Sequence, residues 1–164
     1  LLIIFALMAS QLKSYTQPLI ILVGVPFGAG GALIGHYLLG YNLSFISIFG
    51  IVALSGVVVN DSLVLVDCYN KLVDKGWDKA KAIVEASRLR FRAIFLTTAT
   101  TALGLAPMLF ETSTQAQFLI PMAVSLATGI VFASVIILFL IPALVMIQED
   151  LRSKLKPIDT SSMN

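Results

Sequence analysis

From Thr112 to Gln148 the chain runs 37 residues without a Lys, Arg, Asp or Glu. A helix crossing about 30 Å of hydrocarbon needs only about 20 mostly apolar residues. This interval therefore exceeds one crossing, and the excess is expected as a loop or as helix extending beyond the membrane. The rest of the chain agrees: 58% of its 164 residues are hydrophobic and 12% charged, where soluble domains carry about 25% charged residues. A mean hydropathy of +0.95 cannot be hidden in the core of so small a domain. A water-soluble single domain is excluded. The single cysteine, Cys68, allows no intrachain disulfide and no cysteine-rich metal site.

Intervals free of formal charge predict an all-α, polytopic transmembrane helix bundle. The spans are expected at about 18–39, 43–66, 93–110 and 116–147, with Asp61 inside the second, preceded by a helix remnant over 1–12 that Lys13 closes. Residues 1–150 form the bundle and 151–164 a tail. The opening Leu1-Leu2-Ile3-Ile4-Phe5 has neither an initiator Met nor a basic stretch ahead of it, so it reads as part of a longer polypeptide rather than as a signal peptide.

Short cytoplasmic loops collect Lys and Arg. Lys71, Lys75, Lys79, Lys81, Arg88, Arg90 and Arg92 lie between the second and third spans, and Arg152, Lys154 and Lys156 lie in the tail. The loops Gly40 to Asn42 and Glu111 to Gln115 have no basic residue. Placing the basic segments inside also puts Lys13 inside and predicts a cytoplasmic C-terminus. Between the second and third spans, Trp77, Ala80, Ile83, Val84 and Phe91 recur at near-helical spacing while Lys79, Lys81, Glu85, Arg88 and Arg92 take other faces. An amphipathic helix over 76–92 at the cytoplasmic interface is expected. Asp67, Asp74, Asp78 and Glu85 dilute the positive charge, which argues against nucleic acid as a partner and for lipid.

Gly24, Gly28, Gly31 and Gly35 fall on one face of the first span, the pattern that lets a neighbouring helix backbone approach closely. Pro26 and Pro142 are expected to bend their helices. His36, near one end of its span, reads as a hydrogen-bonded or wetted residue.

Asp61 carries the most information. A carboxylate within a span costs on the order of 3 kcal/mol by insertion scales, and it lies ten residues inward of Lys71, roughly 15 Å. No Lys or Arg of the other spans neutralises it, so it must be protonated for part of a cycle, pair with a residue outside this chain, or face water. A carboxyl group alternating between such surroundings is a proton carrier; held neutral against a neighbouring helix, it is only a packing element. Asn60 adds an amide beside it, and Thr97 and Thr101 share one face of the third span. By depth Thr101, roughly 14 Å from Arg92, is the better neighbour for Asp61 than Thr97 at roughly 8 Å. No nucleophile and base pair or metal-ligand cluster is visible, so no enzyme activity and no cofactor is expected.

The stretches GVVVNDSLVLVD, RLRFRAIFLTT, LGLAPMLFE and QAQFLIPMAVSLATG resemble, in order and spacing, the C-terminal transmembrane half of resistance-nodulation-division exporters of the hydrophobe/amphiphile, acriflavine-resistance type. The resemblance covers nearly the whole chain. It implies the end of helix eight and helices nine to twelve of a twelve-helix inner-membrane subunit. It also implies an N-terminal half and periplasmic domains in the same polypeptide, a homotrimer, a periplasmic adaptor and an outer-membrane channel. The family's proton relay joins acids on helix four to helices ten and eleven. Asn60 takes the position of the relay lysine and Asp61 the adjacent asparagine position, while Thr97 matches the relay threonine and Arg90 the arginine at the cytoplasmic entrance. With no lysine, the relay cannot swap a salt bridge between helices. The chain is in this respect similar to branches in which helices four and ten each carry an acid.

The expected function is the membrane portion of a proton-driven exporter of drugs or other amphiphiles, with Asp61, Asn60, Thr97, Thr101 and Arg90 in ion translocation. Sodium coupling is the alternative, since these oxygens suit a hard cation. A non-transporting scaffold or sensor of the same fold is another.

Overall fold

The computed structural model describes residues 2–12 and 14–155. Its elements are α1 (Leu2–Leu12), α2 (Thr16–Leu39), α3 (Phe45–Asp74), α4 (Lys79–Leu109), α5 (Thr114–Gln117) and α6 (Ile120–Leu155), with no strand among the described residues. Four helices, α2, α3, α4 and α6, are long and apolar enough to cross a membrane. Lys13 and Lys156, two of the residues used to assign sidedness, lie outside the described residues.

Local chemistry sets the turns. Ser44 caps α3 through a reciprocal box with Ser47, satisfying two of the donors a helix start leaves open. Asp78 caps α4 by accepting from the Lys81 backbone N–H at 3.3 Å. Gly40 (φ 72°) and Gly76 (φ 86°) close α2 and the α3–α4 turn in the left-handed region, which costs a side-chain-bearing residue more.

The spans outrun their expected bounds. The segments expected as an interfacial helix over 76–92 and a span over 93–110 join in the single helix α4, because neither Gly nor Pro occurs between Lys79 and Leu103 to interrupt it. The long charge-free interval divides into the single turn α5 and then α6. At 1.5 Å per residue, the 36 residues of α6 reach about 54 Å, well beyond the hydrocarbon thickness.

The central helix is α6, which packs against α2, α3 and α4. Gly24, Gly28, Gly31 and Gly35 are all buried on α2. A Cβ at Gly31 would collide with Phe132 of α6 and one at Gly35 with Thr128, so α2 and α6 approach closely along this stripe. Around it Leu54, Val58, Leu65 and Val66 of α3 and Ile130, Ile137 and Ile141 of α6 form the core. The apolar part of α4 stays largely open, with Phe95, Leu96 and Leu103 exposed.

Candidate ion-coupling site

Asp61 lies 16 residues from the start of α3 and 13 from its end, about 24 and 20 Å along the axis, so it sits mid-helix. It is 8% exposed and has no hydrogen bond or ion pair among the described residues. Its stretch of α3 is held against the glycine face of α2: a Cβ at Gly24 would come within 3.2 Å of Val58, 3.8 Å of the Ser62 hydroxyl and 3.8 Å of Ile137. Ser62, next to Asp61, donates to the Val58 carbonyl at 2.8 Å. Its hydroxyl is thus engaged within its own helix.

Asn60, one residue earlier, turns to the exposed face. The third-span threonines divide. Thr98 meets Ser134 of α6 at 2.5 Å, and because Ser134 itself donates to the Ile130 carbonyl at 2.7 Å, the Thr98 hydroxyl is the donor. That fixes the rotation of α4: Thr97, about 100° away around the helix, is exposed and donates only to the Ala93 carbonyl at 3.0 Å. Thr101 is half-buried and makes no hydrogen bond among the described residues. Neither Thr97 nor Thr101 is hydrogen-bonded to Asp61. Arg90 is half-buried on α4, and its Nε is enclosed with no partner among the described residues.

Sequence reasoning gave His36 as hydrogen-bonded or wetted but not its partners, and it missed the other polar ties at the two ends of the bundle. At one end, His36 is buried, with Nδ1 2.9 Å from the Ala32 carbonyl and Nε2 2.9 Å from the Ser47 hydroxyl, while Ser125 of α6 donates to the Ser47 carbonyl at 3.1 Å. At the other, Gln17 pairs with Asn70 and Gln148 donates to Thr16 at 2.5 Å. Lys79 forms an ion pair with Glu149. The signal available for these was a polar residue within one turn of a span end. Their pairing required knowing how the helices are rotated.

The model of the AcrB/AcrD/AcrF family matches residues 1–149. The chain is 30% identical over 152 residues to the multidrug resistance protein MdtC of Erwinia amylovora, an alignment covering 92% of this chain and 15% of that protein. It is 34% identical over 124 residues to the nickel and cobalt resistance protein CnrA of Cupriavidus metallidurans, covering 76% of this chain and 12% of that protein. A crystal structure of a heavy metal efflux pump superposes with a TM-score of 0.80 at 30% identity, covering 89% of this chain and 15% of the pump. This chain thus spans 12–15% of the length of these proteins. With a family model matched over residues 1–149 and its helices superposed on those of an efflux pump, the chain belongs to the AcrB/AcrD/AcrF family of resistance-nodulation-division transporters.

Proposed function

We propose that the protein is the ion-coupling membrane portion of a proton-driven exporter in the bacterial inner membrane, and that Asp61 loads and releases the proton. The observation that carries this reading is a buried carboxyl group at mid-span with no hydrogen bond or ion pair among the described residues. Retaining such a group against its insertion cost calls for a partner elsewhere in the transporter or for a transported ion. Asn60 and Thr97 support it: both are polar, mid-helix and exposed, a position unsuited to lipid and suited to a neighbouring segment of the same transporter. A change in the charge of Asp61 then alters which helix contact is favoured, a local event biasing a two-state bundle. Thr101 lines the approach from α4 and Arg90 guards the basic end, with the C-terminus in the cytoplasm.

The cargo is handled by parts of the transporter outside this chain, in a homotrimer docked to an adaptor and an outer-membrane channel. Drugs or other amphiphiles are the proposed substrates. The test is proton-gradient-dependent efflux by the full-length transporter, comparing wild type with Asp61→Asn at matched membrane levels. Loss of efflux with intact folding is expected; unaltered efflux would remove Asp61 from coupling. Efflux that follows a sodium gradient at fixed pH would replace the proton by sodium.

A further inference from the structure

We propose that the face of α4 headed by Arg88 and Arg92 binds the phosphate of an anionic phospholipid. The two arginines are four residues apart, on one side of the helix and about 6 Å apart along its axis. Both are exposed, and neither makes a hydrogen bond or ion pair among the described residues. Lysines at the same end are engaged, Lys71 with Asp67 and Lys79 with Glu149. Along α4, Glu85 is the single acid, against Lys79, Lys81, Arg88, Arg90 and Arg92, and it is ion-paired with none of them. The charge of Arg88 and Arg92 is thus uncompensated among the described residues. A planar guanidinium takes a phosphate through two parallel hydrogen bonds.

Depth and shape choose the source of that phosphate. Arg92 is the last charge before the uncharged run from Ala93 to Phe110, which puts the pair at the edge of the hydrocarbon, where headgroups lie. Phe91 and Phe95 alternate with the arginines within about 100° of arc, and both are exposed. Their rings stack with centroids 6.2 Å apart and planes at 12°. Beyond them Leu103, about 20° around the helix from Arg92, is exposed as well. One face thus presents a cationic head and then an aromatic and aliphatic body, the order of a phospholipid read from phosphate to acyl chain. The side of α4 fitted to another helix is a different one. Ala93, Thr97 and Gly104 lie about 100–140° from Arg92, and an added Cβ at Gly104 meets nothing within 4 Å, so a neighbouring backbone can come close there. A zwitterionic headgroup would bring its own ammonium against two unpaired arginines, which favours an anionic lipid. This binding is independent of ion coupling at Asp61.

The test is photocrosslinking of the full-length transporter from p-benzoylphenylalanine placed at Phe95, in vesicles of equal phosphatidylglycerol and phosphatidylcholine, with the adducts identified by mass. Adducts of phosphatidylglycerol should outnumber those of phosphatidylcholine. Arg92→Gln should lower that preference about five-fold, the worth of one basic residue at an anionic surface. Arg88→Gln with Arg92→Gln should bring it near parity, and because both side chains are exposed neither change disturbs the packed core. Equal adducts of the two lipids in the wild type would overturn the proposal, as would a preference that survives loss of both arginines. So would crosslinks to the transporter's own polypeptide in place of lipid, because a protein segment then covers this face.

Discussion

Gln17 and Asn70 face each other with both amides engaged, Gln17 Nε2 donating to Asn70 Oδ1 and Asn70 Nδ2 to Gln17 Oε1, each at 2.9 Å. The pair ties the first turn of α2 to the last turns of α3 across 53 residues of sequence. Because each amide satisfies the other, removing one strands its partner in a half-buried site. Gln17→Leu or Asn70→Leu alone should destabilise the full-length transporter by about 1–3 kcal/mol. The double change should cost less than the sum of the singles, with a coupling of about 0.5–3 kcal/mol. Thermal denaturation in detergent over the double-mutant cycle measures it, and additive losses would deny the pairing.

The glycine stripe predicts a contrast within one helix. Gly35→Val drives a side chain into Thr128 of α6, whereas Gly30, five residues earlier and about 140° around the helix, has nothing within 4 Å of an added Cβ. Overpacking of this kind costs about 1–3 kcal/mol, while Gly30→Ala should be neutral or stabilising by up to about 1 kcal/mol through helix propensity. Melting temperatures of the two variants check the rotation of α2 against α6. Equal effects would mean that the stripe does not face α6.

The spans were legible because a membrane helix must lack charge over a length set by the bilayer, and a sequence displays that directly. The depth of Asp61 followed from the same count. Helix rotation was not legible. Thr97 and Thr101 share a face by spacing, but only the bond from Thr98 to Ser134 shows that this helix turns Thr97 outward. The basic residues from Lys79 to Arg92 looked like an element lying on the surface. Without a helix breaker after them they continue directly into the span. Gln17 and Asn70 each showed as a polar residue near a span end, but their pairing did not, because a contact between residues 53 apart exists only once two helices are docked.

His36 and Ser47 carry a prediction about stability. The Ala32 carbonyl can only accept, so Nδ1 bears a proton, while Nε2 is bonded to the Ser47 hydroxyl, whose oxygen also accepts from the Ser44 backbone N–H at 3.1 Å. Ser47→Ala leaves both groups unmet and should cost about 1–3 kcal/mol, against about 0.5–1.5 kcal/mol for Ser125→Ala, which deletes a single bond to a carbonyl. The ranking of the two melting temperatures tests this. A Ser125 variant as damaging as the Ser47 variant would contradict it.

Thr97 and Thr98 separate coupling from packing. The Thr98 hydroxyl reaches α6 through Ser134, so Thr98→Val, which keeps the shape and deletes the donor, should lower stability by about 0.5–1.5 kcal/mol. Thr97 is exposed and bonded only within its own helix, so Thr97→Val should leave the melting temperature nearly unchanged. If Thr97 faces the segment that completes the ion path with Asp61 and Asn60, efflux should fall in Thr97→Val while Thr98→Val retains it in proportion to folded protein. Measuring efflux and melting temperature on both variants gives opposite expectations for neighbouring residues of one type. Loss of stability in Thr97→Val would mean that α4 is rotated differently, and full efflux with unchanged stability would remove Thr97 from the path.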